Sequence, residues 1–220
     1  MAATNGSATG GEDHRIPVVF YFDYICPFCY VGAHRLQRIT QRYPVAVEYR
    51  FVEIHPDSPA GGRPVSELGY PPEQWRRMNE ALTAMLEADG LLMAERTFTT
   101  NSRQALLLAR TVLQRRPGRF LALHNALFHA YFVDGRNIGE TAVLESIAAD
   151  HDVGDCLMPV DDRQALAGLL EDVEAARSTG LTGVPTLIVG DRAFPGAVSM
   201  DTLAAAMEEH TRGGAPGETH

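Results

Sequence analysis

The 220-residue chain contains no lysine, and all 19 of its basic side chains are arginine. A guanidinium cannot form a Schiff base, so imine chemistry, a lysine-anchored pyridoxal phosphate and a Walker-type phosphate loop are excluded. The arginines are outnumbered by 28 acidic residues, which gives a net charge of −9. This balance repels phosphate backbones and anionic lipid, so we expect neither nucleic acid nor a membrane surface as a partner.

Cysteine is scarce, and long apolar runs are missing. The chain has three cysteines and is long enough to bury a core without disulfide staples, which argues against a structural disulfide framework. The first residues lack the apolar segment of a secretory signal, and no run is long enough for a membrane span. We therefore expect a cytoplasmic protein. Residues 1–15 and 212–220 are rich in Gly, Ser, Thr and Pro and are predicted to be disordered tails.

Hydrophobic patterning indicates strands at both ends of the chain. A run of β-branched and aromatic residues, 17–22, is typical of a buried strand, and a helical pattern with a first-turn proline follows it. Residues 45–52 alternate as a second strand, which completes a βαβ unit. Near the C-terminus, residues 184–190 predict a strand, 193–195 a short partner strand, and 199–210 a closing helix.

The middle of the chain differs from both ends. From residue 71 to about 179 the pattern predicts helices and no strand. Without this excursion, the βαβ and ββα segments form the skeleton of a small mixed sheet with helices on both faces. Only the last hairpin of that sheet is expected to run antiparallel.

The stretch CPFC, residues 26–29, carries the chemistry of this sequence. A closed structural zinc site needs four ligands, and beyond Cys26 and Cys29 only Cys156 remains, so zinc is disfavoured. A redox dithiol fits better, because a cysteine at a helix N-terminus has a lowered pKa. Cys26 holds that position, and Cys29 follows in the same turn, deeper and able to attack a mixed disulfide on Cys26.

The residues around the two thiols set the expected electrostatics. Pro27 and Phe28 carry no charge, so we expect backbone groups to be the main stabilisers of a Cys26 thiolate. We also expect a less oxidising couple than one with a cation between the cysteines. Asp23 precedes Cys26 by three positions, and a solvated or capping carboxylate is favoured over a proton-transfer role for it.

These motifs resemble a known family. A strand, CPFC, a long helical insert and then GLTGVPTLIVG are similar to DsbA-type thioredoxin-fold oxidoreductases, and most of all to their cytoplasmic FrnE-like branch. The resemblance implies an α/β fold in which a thioredoxin-like mixed sheet (βαβ…ββα) carries a large all-helical insertion. The thioredoxin-like domain would comprise residues 16–60 and 180–211, and the helical insertion residues 61–179.

The same resemblance implies roles for individual residues. Cys26 would be the nucleophile and Cys29 the resolving thiol, facing a cis-proline at Pro185. The backbone of Val184 and Pro185 would pair with an extended substrate segment beside the sulfurs, and the substrate-binding positions would be Pro27, Phe28, Val184 and Pro185. Protein or small-molecule disulfides would be the substrates.

The implied cofactor is the redox-active disulfide itself, with no tightly bound group and with glutathione as the candidate co-substrate. The chain would act as a monomer or a homodimer. Cytosolic thiol pools keep most such pairs reduced, which favours reductase, isomerase or redox-defence work over net oxidation of client proteins.

Two alternatives stay open. The first is a glutathione-dependent enzyme of the kappa transferase or 2-hydroxychromene-2-carboxylate isomerase type, a group that typically carries serine at the nucleophile position. The second is a non-catalytic, peptide-binding holdase. Both cysteines are present here, which favours the oxidoreductase over either alternative.

Three further residues are candidates for the site. His55 follows the second strand and could shuttle protons, but a structural or exposed histidine is favoured. Cys156 is interpreted as a small inert residue rather than a disulfide partner. Trp75 could line a hydrophobic groove, but its helical spacing favours packing in the core.

Overall fold

A computed structural model describes residues 15–159 and 161–213. Nearly all of the two predicted disordered tails lies outside these residues. The first part of the chain forms the predicted βαβ unit: β1 (Ile16–Phe22), α1 (Pro27–Thr40) and β2 (Val45–Phe51). β1 and β2 are parallel, with Ile16 opposite Val45. β1 is buried at nearly every position, as its continuous run of β-formers predicts.

The middle of the chain is helical but also contains one small strand pair. Its elements are β3 (Arg63–Pro64), α2 (Pro72–Asp89), β4 (Phe98–Thr99), α3 (Arg103–Arg115), α4 (Pro117–Phe132), α5 (Thr141–Asp150) and α6 (Arg163–Ser178). β3 and β4 pair antiparallel, so the prediction of no strand after residue 71 is wrong at β4. A two-residue ladder is too short to carry a period-2 pattern.

The C-terminal part returns to the main sheet. β5 (Thr186–Val189), β6 (Arg192–Pro195) and α7 (Met200–Gly213) complete it, and the strand order is β2-β1-β5-β6. β5 is antiparallel to both β1 and β6, so the expectation that only the last hairpin is antiparallel is wrong. α7 extends to Gly213, two residues beyond the predicted end of the domain.

An aromatic cluster joins the sheet to the helical insertion. Phe22 of β1 stacks on Phe20 and contacts Phe128 of α4 with ring centroids 6.1 Å apart. Tyr24 hydrogen-bonds His124 Nδ1 at 2.9 Å, and burial lowers the pKa of that histidine to about 3, so the ring is neutral. The core is therefore continuous across both parts, and no described helix is apolar and long enough to cross a bilayer.

This architecture confirms the predicted fold class. A mixed four-stranded sheet is flanked by helices, and helices α2–α6 lie between β2 and β5 in the chain. The central strand β1 therefore lies between β2, its neighbour in sequence, and β5, which is far away along the chain. This arrangement brings the loop after β1 and the loop before β5 to the same end of the sheet.

Candidate active site

Cys26 is the N-cap of α1 at the end of the loop that follows β1. Its backbone is extended, and Pro27 takes the first helical position, where the missing N–H costs no hydrogen bond. No side chain caps the helix, so the first backbone N–H groups are left to the sulfur of Cys26. The local sequence thus places this sulfur at the positive end of α1, as predicted.

The pKa of Cys26 is lowered, and the largest cause is a hydrogen bond from the Cys29 thiol. Backbone N–H groups of Cys29 and Phe28 lower it further, whereas burial and the nearby Asp23 oppose the effect. The expectation that the backbone would be the main stabiliser is therefore wrong. The sequence motif indicates Cys29 as the resolving thiol but does not show that its thiol donates a hydrogen bond to Cys26.

Cys29 has the opposite character. The residue is 0% exposed against 6% for Cys26, and burial raises its pKa well above the usual range. The negative charge of a Cys26 thiolate raises it further. The backbone N–H of Asp23 donates to Cys29 Sγ at 3.5 Å. One thiol is thus prepared to ionise and the other to stay protonated.

The loop before β5 lies directly against this pair. The Val184–Pro185 peptide bond is cis, and the Cys26 thiol donates to the Val184 carbonyl oxygen with a distance of 3.7 Å. Pro185 is buried against α1, since a Cβ added at Gly32 would lie 3.5 Å from its ring. Cys26 and Pro185 are therefore neighbours despite their separation in the chain.

Asp23 is fully buried, so its interpretation as a solvated carboxylate is wrong. Its carboxylate accepts hydrogen bonds from the N–H of Ile54 at 2.8 Å, the hydroxyl of Ser102 at 3.0 Å and the N–H of Ile25 at 3.3 Å. Burial outweighs these donors and raises the pKa of Asp23 to about 7. A carboxyl with this pKa can bind or release a proton at neutral pH.

The residues between the cysteines differ in accessibility. Phe28 is half-buried and packs against both hydrophobic clusters of the protein. Pro27 is buried, and Val184 on the facing loop is half-buried. Phe28 and Val184 thus form the partly exposed border of the dithiol.

His55 and Cys156 do not contact the two thiols in the described part of the chain. His55 is half-buried, and its pKa is lowered by burial and by the charges of Arg63 and Arg96. Cys156 is fully buried in the main core, and burial raises its pKa. Across residues 15–159 and 161–213, no group of three or more metal-binding side chains is close enough to hold an ion.

Trp75 is half-buried, so its predicted place in the core is wrong. Its ring stacks on Tyr70 with centroids 5.9 Å apart, and the guanidinium of Arg96 lies 5.5 Å from its centroid. In α2 only Leu82 and Leu86 are buried, so the periodic stripe enters the core at its C-terminal half alone.

Sequence reasoning missed Ser102, Ile54 and Arg96 as parts of this site. Each lies in the helical insertion or in the loop that leads to it, between 28 and 76 positions beyond Cys26. A single serine or arginine in a loop carries no local signal of its neighbours. Only the pairing of distant segments brings these residues to the dithiol.

Comparison with known proteins agrees with the fold. A family model described as "DSBA-like thioredoxin domain" matches residues 17–208. The uncharacterized protein YwbO of Bacillus subtilis (strain 168) is 24% identical over 204 residues, covering 90% of this chain and 98% of that protein.

Two solved structures share the fold. A probable DsbA oxidoreductase from Streptomyces coelicolor has a TM-score of 0.74 at 22% identity, covering 94% of each chain. A 2-hydroxychromene-2-carboxylate isomerase has a TM-score of 0.70 at 20% identity, covering 90% of this chain and 98% of that one. At these identities the likeness establishes the fold only.

Proposed function

Since the chain belongs to the DSBA-like thioredoxin domain family, we propose that it is a thiol–disulfide oxidoreductase with Cys26 as nucleophile and Cys29 as resolving thiol. The observation that carries this proposal is the surroundings of Cys26. Its sulfur receives hydrogen bonds from the Cys29 thiol and from two backbone N–H groups at the start of α1. These donors favour the thiolate, which is the reactive form in disulfide exchange.

The reaction runs in two exchange steps. The Cys26 thiolate attacks one sulfur of a substrate disulfide, so a mixed disulfide forms and the other substrate sulfur leaves as a thiolate. Cys29 then loses its proton and attacks Cys26 Sγ, which closes the Cys26–Cys29 disulfide and releases the second substrate thiolate. Two electrons pass to the substrate, and the reverse sequence oxidises a substrate dithiol.

Asp23 supports the second step. Cys29 must lose a proton although burial raises its pKa, and the fully buried Asp23 has a pKa of about 7. Its backbone N–H donates to Cys29 Sγ, and the charge of its carboxylate is among the effects that raise the pKa of Cys29, so the two groups interact directly. We assign Asp23 as the proton acceptor for Cys29, and its neutral donors keep the carboxyl in place.

The loop before β5 supplies the substrate contact. The Val184 carbonyl lies 3.7 Å from Cys26 Sγ, on the partly exposed side of the dithiol. An extended substrate segment can add to this backbone as a strand while its disulfide reaches Cys26. Phe28 and Val184 then contact the side chains of the substrate.

Reduction of insulin by dithiothreitol tests the proposal. We expect the wild-type protein to accelerate it and Cys26→Ser to abolish the acceleration. Cys29→Ser is expected to stall as a mixed disulfide that mass spectrometry detects. Cys156→Ser is the matched control, because that thiol is buried away from the site and its loss is expected to leave the rate unchanged. Full activity of Cys26→Ser would reject the proposal.

The isomerase fold neighbour motivates a second arm of the same experiment. A glutathione-dependent isomerase or transferase would retain its activity when Cys29 is replaced, because that chemistry does not need an internal disulfide. A holdase would suppress insulin aggregation independently of every cysteine. Loss of insulin reduction with either cysteine variant supports the oxidoreductase over both alternatives.

A further inference from the structure

Arg63 and Arg96 both act on the ring of the half-buried His55, and neither has an acidic partner among the described residues. Arg63 is in β3 and Arg96 lies two residues before β4, and the two strands pair, with Arg63 opposite Thr99. Both arginines are half-buried. Among the described residues, neither guanidinium makes an ion pair or hydrogen bond to the protein, and the Nε atom of each is buried without a partner.

A third unsatisfied donor belongs to the same region. The hydroxyl group of Ser58 is buried without a partner, and the residue is 5% exposed. The backbone N–H of Ser58 donates to the His55 carbonyl at 3.1 Å, and the charges of Arg63 and Arg96 both act on the His55 ring. Unsatisfied buried polar groups are rare in proteins, so several in one place indicate an absent hydrogen-bond acceptor.

The segment that carries Arg96 passes the first turn of α1. The hydroxyl of Tyr30, one residue after Cys29, donates to the Leu92 carbonyl at 3.2 Å, and Tyr30 and Met93 pack against the same small hydrophobic cluster. The Arg96 guanidinium lies 5.5 Å from the Trp75 ring centroid, which fixes its orientation. Burial lowers the pKa of Arg96, and the charge of a Cys26 thiolate is among the effects that raise it.

Apart from Arg136, the other half-buried arginines of the described residues each have a carboxylate partner. The half-buried Arg103 and Arg110 each have a carboxylate partner, Glu53 at 3.0 Å and Asp172 at 3.3 Å respectively. With a net charge of −9, acidic partners are abundant. The protein nevertheless leaves a local positive charge near its dithiol.

We infer that Arg63 and Arg96 form a carboxylate-binding subsite, so that the preferred substrates are disulfides with a carboxylate close to the sulfurs. A guanidinium binds a carboxylate through two parallel N–H bonds, and the Ser58 hydroxyl offers a further donor in the same region. This inference rests on the proposed oxidoreductase function and adds the substrate class.

Single-turnover kinetics with two matched peptides test the inference. The fully reduced protein is mixed with a disulfide peptide that carries glutamate beside each cysteine, or with the same peptide carrying glutamine. We expect the glutamate peptide to react about five to ten times faster. Arg96→Gln and Arg63→Gln are expected to bring this ratio close to one, and Arg96→Lys to retain part of it.

The ratio isolates recognition from reactivity, because any change in the Cys26 pKa affects both peptides equally. Arg42→Gln is the matched control: Arg42 is exposed just beyond the far end of α1, about 20 Å along the helix from Cys26. It removes the same charge, and we expect it to leave the ratio unchanged. Circular dichroism and thermal unfolding of each variant check that it is folded.

The outcomes separate the two levels of the argument. Equal rates within both the peptide pair and the glutathione pair described below, or a preference that survives in both arginine variants, would overturn the subsite alone. Failure of the wild-type protein to react with either peptide would overturn the proposed function and the subsite with it. Glutathione disulfide and its ethyl ester form a parallel pair, and an arginine-dependent preference in one pair identifies a small thiol or a peptide as the carboxylate source.

Discussion

Asp23 and Asp172 are both buried carboxylates, but their surroundings differ. Asp172 in α6 contacts two guanidinium groups, those of Arg50 at 3.0 Å and Arg110 at 3.3 Å, and so links α6 to β2 and α3. Asp23 accepts hydrogen bonds from neutral donors only, and burial raises its pKa to about 7. The charge of Asp172 is thus balanced by two arginines, whereas Asp23 has a pKa close to neutral pH.

The arginines repeat this contrast. Arg50 and Arg110 are paired where α6 and α3 meet the sheet, whereas Arg63 and Arg96 remain unpaired near the dithiol. Buried charges without partners are unfavourable for stability, so a protein keeps them where they serve a reaction or a ligand. The buried charges around Asp172 are thus paired with opposite charges, whereas Asp23, Arg63 and Arg96 have no oppositely charged partner within the described residues.

Removing the charge of Asp172, the carboxylate that contacts two arginines, is expected to have the largest effect on the free energy of unfolding. Asp172→Asn keeps a polar side chain of the same shape but removes the buried carboxylate from Arg50 and Arg110, which keep only the exposed Glu48 and Glu171 as acidic partners, so we expect a loss of about 3 kcal/mol. Urea unfolding measures this loss. Glu174→Gln on the exposed side of the same helix is the control, with an expected change within about 0.5 kcal/mol. A loss below about 1 kcal/mol, or slower alkylation of Cys26, would contradict the assignment of Asp172 to structure alone.

Replacing Asp23, the carboxylate without a charged partner, is expected to raise the free energy of unfolding by an amount that depends on pH. The pKa of Asp23 rises from 3.8 to about 7 on folding, so the folded state keeps a proton that the unfolded state releases. The wild-type free energy of unfolding therefore falls as pH rises between about 4 and 7, and Asp23→Asn removes this penalty. We expect the variant to gain about 2 to 3 kcal/mol relative to wild type between pH 5 and pH 8. Urea titrations that give a constant difference at both pH values would show that Asp23 does not titrate in this range.

Much of the fold could be predicted from local pattern, and the exceptions have a physical cause. The apolar runs at 17–22 and 184–190 predicted two central strands, because strands buried on both faces are continuous in hydrophobicity. β4 was missed because its two residues are specified by pairing with β3 rather than by periodicity. The antiparallel direction of β5 against β1 follows from how the helical insertion returns the chain, which no short pattern encodes.

The site was predictable where its residues are close in sequence. The positions of Cys26 and Cys29 follow from a strand, a turn and a helix start. The burial of Asp23 could not be predicted in this way. Its position next to the motif is evident from the sequence, but its burial depends on Ile54 and Ser102, which come from two other segments. Trp75 shows the same limit in reverse, since helical periodicity does not tell which turns of a helix reach the core.

The effect of Cys29 on the pKa of Cys26 can be measured directly. Cys29 is the largest contributor to the lowered pKa of Cys26, so Cys29→Ala is expected to raise that pKa. The rate of alkylation by iodoacetamide as a function of pH gives the pKa, and at neutral pH we expect the variant to react several times more slowly. Cys156→Ala is the control and is expected to leave the profile unchanged. An unchanged pKa in Cys29→Ala would assign the effect to the backbone N–H groups alone.

The smallest expected effects on the free energy of unfolding come from replacing a paired arginine, Arg110, and an unpaired one, Arg96. Arg110→Gln removes a half-buried ion-pair partner of Asp172, and we expect a loss of about 1 to 2 kcal/mol in the free energy of unfolding. Arg96→Gln removes a guanidinium that has no carboxylate partner and whose only described close contact is with Trp75. The lost cation–π contact, about 0.5 to 1 kcal/mol, is offset by release of the buried charge, so the net change is expected to stay within about 0.5 kcal/mol. Equal losses in both variants by urea unfolding would mean that Arg96 holds the fold together as Arg110 does, and the contrast between paired and unpaired charges would no longer hold.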